Sequence, residues 1–285
     1  MRGVWRIQQW FAERAHKRRL REAIDAVSRF PTLAERKPHT LDAPLIVTLT
    51  SYPLRFPTLG STIRSLLDQT IRPDRTILWI AEGDLAELPP EVLSLKAFGL
   101  EIRTCADLRS YKKLIPALHA FGPSYFVTAD DDVYYPPHWL EGLVSQVYAH
   151  GPHVVAGRAH LLRLDASGRA LPYLEWDLQT SHIRAPSDET RIFPTGVGGV
   201  LYPPNGFADA VLDEAAFMRL CPQGDDIWFF WMARLAGTPQ IQAEARFHIL
   251  SWPQSQSVAL FHENVYKDQN NIQIRSMEEA YGLVP

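Results

Sequence analysis

"YFVTADDDVYYPPHW", residues 125–139, runs an apolar strand into three consecutive aspartates and then turns on two prolines. Adjacent like charges repel, so the arrangement costs stability unless water or a cation screens it. Either the acids stand on a solvated turn or something positive belongs among them. If extended backbone continues past Ala129, Asp130 and Asp132 point one way and Asp131 the other. Two carboxylates on one side suit a hard divalent cation, Mn2+ or Mg2+, that shares its other positions with water and phosphate oxygens. A calcium loop would need a glycine at its bend and a late glutamate, and "VYYPPHW" supplies neither.

The segments before this strand give it a setting. "LIVTLT" (45–50), "TILWIA" (76–81) and "LEIRTC" (100–105) read as strands. Between them, Leu59, Ile63, Leu66 and Leu67 share one helical face behind a Thr58 cap, and "PPEVLSLKAFG" opens on prolines and closes on Gly99. "SYKKLIPALHAF" reads as a helix interrupted near Pro116. Strands alternating with helices at this spacing predict an α/β fold with a mostly parallel sheet and helices on both faces. Ligands of such sheets bind beyond the carboxyl ends of the strands, where "YFVTA" delivers its aspartates.

The second half is less regular. "HWLEGLVSQVYAH" reads as a helix, "HVVAGRAHLLRL" as extended chain, and residues 165–195 as polar loop with short strand. "DDIWFFWMARLAG" (225–237) is a helix apolar on nearly every face, hence buried. Asp225 and Asp226 stand at its start, where carboxylates favour the positive end of the helix dipole. One of them can serve as a cap, but two acids beside a glycine exceed what capping requires. A carboxylate held there can act as a general base. "FPTGVGGVLYPP" is neither a dinucleotide fingerprint nor a phosphate loop, and its Gly198 and Gly199 serve equally a tight turn or a substrate-facing loop. Arg55, after the first strand, can meet a phosphate or a base, Lys112 can neutralise a diphosphate, and His262 can ligate a metal. The tail from about residue 265 is polar and expected to be loosely held.

Composition sets bounds on the rest. A 285-residue chain with 46% apolar and 21% charged residues is ordinary for a globular protein, and its net charge of -3 points to no polyanionic partner such as nucleic acid. Cys105 and Cys221 form no disulfide framework and no metal spacing, and are expected to be reduced. No apolar run approaches membrane-spanning length, and no secretory leader is recognisable. The first segment is strongly basic, with Arg2, Arg6, Arg14, Lys17, Arg18, Arg19 and Arg21 against Glu13 and Glu22. Val4, Ile7, Phe11 and Ala15 fall at helical spacing beside Trp5 and Trp10. Such a helix can lie on an anionic membrane surface or pack on its own domain or a partner chain.

Together these segments resemble nucleotide-sugar glycosyltransferases of the GT-A fold, particularly the family 2-like bacterial type. The resemblance rests on "IVTLTSYPLRFPTLGSTIRSLLDQTIRPDRTILWIA", "VTADDDVYYP", "TGVGGVLYPP", "GDDIWF" and "NVYKDQNN", in that order. It covers roughly residues 44–272 and implies a Rossmann-like GT-A domain there, with the basic helix and linker over 1–43 and a tail over 273–285 lying outside it. Within the domain, 44–135 would be the nucleotide-binding half and 136–272 the acceptor half. Thr50, Ser51, Tyr52, Arg55, Lys112, Asp130 and Asp131 would bind the nucleotide sugar. Asp130, Asp132 and His262 would hold Mn2+ or Mg2+. Asp226 matches the family's catalytic acid, with Asp225 open as the alternative because the motif has aspartate at its first position. Gly198 and Gly199 would face the acceptor. The implied activity is sugar transfer to a hydroxyl of a glycan or glycolipid in bacterial surface polysaccharide synthesis, inverting if Asp226 acts as a single base. The place would be the cytoplasm or the inner face of the plasma membrane. A nucleotidyltransferase on a similar fold fits less well, because "TSYPLRFPT" has one basic residue and no glycine. A non-catalytic carbohydrate- or partner-binding module would not need the intact acids.

Overall fold

The computed structural model describes residues 2–178, 190–243, 248–253, 255 and 268–283, for residues 2–9 the backbone alone. The four apolar runs of the first half form strands: β1 (Leu45–Thr50), β2 (Arg75–Ala81), β3 (Leu100–Cys105) and β4 (Tyr125–Ala129). Downstream, β5 (Val154–Ala156), β6 (Val200–Tyr202) and β7 (Gln240–Gln242) extend the sheet, whose spatial order is β7-β5-β6-β4-β1-β2-β3. Only β6 is antiparallel to its neighbours among these strands; the remaining pairs are parallel. This is the mostly parallel, helix-flanked sheet expected from the sequence.

The two-residue period of β1 explains the layers. Leu45, Val47 and Leu49 pack with α2 (Phe56–Leu67) and α3 (Trp139–His150), whereas Ile46 faces the opposite layer. That layer is built on α4 (Asp225–Leu235), where Trp228, Phe229, Phe230 and Trp231 are all at most 2% exposed. Each such side chain contributes roughly 1.5–3 kcal/mol on burial. Helix α2 starts at Phe56, ahead of the expected Thr58 cap, because Pro57 sits in the first turn, where no N–H is needed. "SYKKLIPALHAF" divides into a 3-10 turn, Arg109–Lys113, and a helix, Ile115–Ala120.

The C-terminal expectation fails. Instead of a loose tail, α5 (Gln269–Tyr281) buries Ile274 and Met277 in the α4 layer, and Tyr281 meets Trp228 edge-on at 5.8 Å. Three apolar residues at i, i+3 and i+7 suffice to dock a helix, but among polar neighbours they are too sparse to stand out. At the other end, α1 (Arg2–Ser28) packs through Ala23 and Val27 against Leu250 and Trp252. Its Trp10 and Phe11 remain 50% and 61% exposed.

Parallel pairing of β1 to β4, and the antiparallel β6 that β4 and β5 share, bring the carboxyl ends of β1 to β5 to one edge. Because β6 runs the other way, the glycine segment before it arrives at that same edge.

Candidate active site

A cleft of about 850 Å³ opens at this edge, within the range of small-molecule sites. Thr50, Ser51, Tyr52 and Arg55 line it from the end of β1, and Asp130, Asp131 and Asp132 from the end of β4. The Thr50 hydroxyl is engaged, donating to the Trp79 carbonyl at 2.8 Å.

All three aspartates face the cleft, which corrects the expectation that Asp131 points away. The chain turns at Asp131–Asp132 rather than continuing extended, so the alternation of a strand does not apply. Each acid has its own partner. Asp130 Oδ1 lies 3.3 Å from Lys113 Nζ, Asp131 accepts from Ser51 Oγ, and Asp132 pairs with Arg55. Thr62 Oγ1 donates to the Asp131 carbonyl at 2.9 Å and the Tyr135 hydroxyl accepts the Asp130 N–H at 2.8 Å, fixing the turn. Burial pushes the Asp131 carboxyl up to about 7, although the Ser51 hydroxyl opposes it. Burial and the neighbouring Asp130 also raise Asp132, against the pull of Arg55.

The other acidic pair reaches the same cleft from the start of α4. Asp225 is buried, its Oδ2 3.0 Å from Lys113 Nζ. Asp226 Oδ2 accepts the Gly196 N–H at 2.9 Å. Burial, then the adjacent Asp225, push the Asp226 carboxyl up to about 7, while Lys113 and the Gly196 N–H resist. Lys113 therefore joins the two acidic segments. Burial pulls its ammonium down, but Asp225, Asp130 and Asp226 together hold it well above its ordinary value.

Lys112 lines the cleft too, but its ammonium is engaged by Asp107 rather than by the central acids. The adjacent Lys113 takes the position expected of Lys112. In the tight 3-10 turn successive side chains diverge by about a third of a turn, so "KK" sends only one of its lysines to the acids.

Gly198 and Gly199, expected to face a substrate, lie behind the cleft wall. A side chain on Gly199 would come within 2.4 Å of Trp139, whose Nε1 donates to the Gly198 carbonyl at 2.7 Å. Both have positive φ, 96° and 84°, so they serve turn and packing. The glycine of this segment that lines the cleft is Gly196, where an added Cβ would stand 2.9 Å from Lys113 Nζ and 3.0 Å from Asp226 Oδ1. Arg158, His160 and Tyr173 complete the wall, and none of them is singled out by the sequence. "AGRAH" offers a glycine before a basic residue, too common a pattern to mark a site. His262 lies outside the described residues.

Whether these acids fit a divalent cation is a question of their donor set. Among the described residues, no three His, Cys, Asp or Glu side chains converge on a point that could hold a metal. A cation here would therefore take one or two carboxylates and complete its shell with phosphate oxygens and water, as magnesium commonly does. Three adjacent acids, with Asp131 and Asp132 raised by burial and by the charge of their neighbours, present the crowded negative charge that a cation would relieve.

No protein-family model matches the chain, and no curated protein is significantly similar to it. Solved structures do match. S. aureus TarS, residues 1–349 in complex with UDP, superposes with a TM-score of 0.50 at 14% identity, over 80% of this chain and 64% of TarS. Glucosyl-3-phosphoglycerate synthase from Mycobacterium tuberculosis, in complex with Mn2+, UDP and glucosyl-3-phosphoglycerate, matches at 0.32 and 19% identity over 40% of this chain and 43% of that one. The mannosyltransferase PcManGT from Pyrobaculum calidifontis, in complex with GDP-Man and Mn2+, matches at 0.34 and 14% identity over 50% and 44%. The chain thus spans less than two thirds of the length of each. The likeness to TarS is one of fold, and the fold is GT-A.

Proposed function

We propose that this GT-A-fold protein is a metal-dependent glycosyltransferase that moves a sugar from a nucleotide-sugar donor to a hydroxyl of a glycan or glycolipid. One observation carries the reading: Asp130–Asp132 and Asp225–Asp226, nearly a hundred residues apart, meet in one cleft across Lys113. Asp130 and Asp132 would hold Mn2+ or Mg2+, which when bound supplies positive charge to the leaving diphosphate. Ser51, Tyr52 and Arg55 would orient the nucleotide end. Lys113 adds a fixed positive charge beside the acids without reorganising during the reaction.

The acceptor hydroxyl is a weak nucleophile until its proton is taken. Asp226 is suited to take it. Its Oδ2 is fixed by the Gly196 N–H, and its carboxyl sits near neutrality, where a base accepts a proton readily. As the hydroxyl oxygen bonds to the anomeric carbon, the carbon–phosphate oxygen bond breaks, its electron pair leaves with the diphosphate, and the proton passes to Asp226. A single base and in-line attack give inversion. Asp225, committed to Lys113, is then a positioning residue.

Asp132→Ala tests the donor half of this reading. In calorimetric titration with UDP or GDP, the wild type should bind more tightly with Mn2+ than without. The variant should lose roughly ten- to hundredfold of the Mn2+-dependent affinity, the worth of a charge-assisted contact. Equal affinities with and without Mn2+ in the wild type would refute the metal assignment.

The character of α1 supports a place of action at a membrane surface. No helix of the described residues is long and apolar enough to cross a membrane. The exposed part of α1, however, presents Trp10 and Phe11 beside Arg14, Lys17, Arg18 and Arg21, with the Arg14 guanidinium 4.7 Å from the Trp10 ring. Such a helix would seat the enzyme on the anionic inner face of the plasma membrane, where glycolipid acceptors of surface polysaccharide synthesis are found. Deleting residues 1–22 should abolish sedimentation with phosphatidylglycerol vesicles while leaving the chain folded. Undiminished sedimentation would rule out this anchor.

A further inference from the structure

Among the described residues that line the cleft, every lysine and arginine but one has a partner. Arg55 pairs with Asp132, Lys112 with Asp107, Lys113 with Asp130 and Asp225, and Arg109 donates to the Pro222 carbonyl at 3.0 Å. Arg158 stands apart: its guanidinium forms no ion pair among the described residues, and its Nε is buried without a hydrogen-bond partner among them. Buried polar groups are rarely left unpaired, and a buried charge less often still. Burial pulls the Arg158 pKa below its ordinary value, against the fields of Tyr173, Asp226 and Asp130.

The backbone around it is fixed. The Arg158 carbonyl accepts from Thr195 N at 3.1 Å and from Thr195 Oγ1 at 3.2 Å. Gly157 packs so closely on Gly198 that an added Cβ would stand 2.3 Å from the Gly198 carbonyl oxygen. The side chain enters the cleft just past β5, on the far side of β4 from β1, β2 and β3. It feels the fields of Asp226 and Asp130, yet each of these already has a donor of its own.

We infer that Arg158 receives a carboxylate or phosphate carried by the acceptor, so that the acceptor is an acidic sugar rather than a neutral one. This rests on the proposed transferase reading, which puts the acceptor hydroxyl at Asp226. A planar guanidinium presents paired N–H donors that match either anion in a two-point contact. The anion would supply the partner that the fold withholds and set which acceptor hydroxyl comes to the base.

The test compares wild type, Arg158→Met and Arg158→Lys by calorimetric titration. The probes are methyl β-glucuronide and glucose 6-phosphate, with methyl β-glucoside as the neutral control, each with and without saturating UDP and Mn2+. The wild type should prefer the anionic probes by roughly ten- to hundredfold. Arg158→Met should abolish that preference without changing neutral binding, and Arg158→Lys should retain part of it. Arg158→Met should melt no lower than the wild type, because no ion pair among the described residues is lost with the guanidinium. Equal wild-type affinities for anionic and neutral probes, or a preference that survives in Arg158→Met, would overturn the inference. A preference seen only between UDP-glucuronate and UDP-glucose would put the anion on the donor and overturn the acceptor assignment. Failure of UDP and GDP to bind with Mn2+ would instead count against the transferase reading, since the nucleotide-free titrations report on Arg158 separately.

Discussion

Asp226→Asn should bind nucleotide and Mn2+ like the wild type yet lose roughly 10²–10⁴-fold in kcat, the usual worth of a positioned general base. The amide oxygen can still accept the Gly196 N–H that Asp226 Oδ2 accepts at 2.9 Å, so the local structure should survive while proton acceptance is lost. The pH profile gives a second reading. Burial and Asp225 raise the Asp226 carboxyl to about 7, so the active, deprotonated form grows as pH rises through neutrality. Wild-type kcat/KM should therefore fall on the acid side of pH 7, and the limb should vanish in the residual activity of the variant. Asp225→Asn makes the contrast. Losing one partner of Lys113 should weaken folding, and losing the charge beside Asp226 should move this limb to lower pH without abolishing it. If Asp226→Asn turned over at a near-normal rate, the base would have to be sought elsewhere.

Lys113→Met should be strongly destabilising. Its ammonium lies 3.0 Å from Asp225 and 3.3 Å from Asp130, with Asp226 also in its field. Removing it leaves carboxylates facing one another in a desolvated cleft, a loss on the order of 3–5 kcal/mol. In thermal melts this should appear as a drop of roughly 10 °C. The pH dependence has a definite sign. The uncompensated acids will have folded-state pKa values raised above their unfolded ones, so the loss should be largest at pH 8 and shrink as the solution is acidified and they take up protons. A melting point unchanged at pH 8 would show that Lys113 does not hold the acids together. Since Asp131 and Asp226 are already raised to about 7 in the wild type, the cleft sits close to this limit.

The centre of the sheet is legible in the sequence because its strands are covered on both faces, and a doubly covered strand writes itself as an unbroken run such as "LIVTLT". The acids are legible for the opposite reason, as charge at the end of such a run. What the sequence hides depends on contacts made across the fold. Lys113 and Lys112 are the same residue type side by side, and only the tight turn at Arg109–Lys113 decides which meets Asp225. Gly196 differs from Gly198 and Gly199 not in its own properties but in what stands opposite: Lys113 and Asp226 in one case, Arg158 and Trp139 in the others. Arg158 is invisible in the sequence because its significance lies in its surroundings, which no linear pattern records. The helix at the C-terminus is obscured because its polar neighbours outnumber its anchors, and only the aromatic surface of α4 makes Ile274 and Met277 sufficient.

The reversed strand β6 has a wider consequence. It divides the binding edge into two territories that can diversify independently. On the proposed reading, residues after β1 and β4 would meet one ligand and the loops flanking β5 and β6 with the start of α4 the other, with Lys113 standing between the two. A lineage could rewrite the segments around Arg158 and Tyr173 and so change one substrate while inheriting recognition of the other intact. For the experimenter the same boundary marks where chimeras should be cut: between α3 and β5, where one territory ends and the next begins.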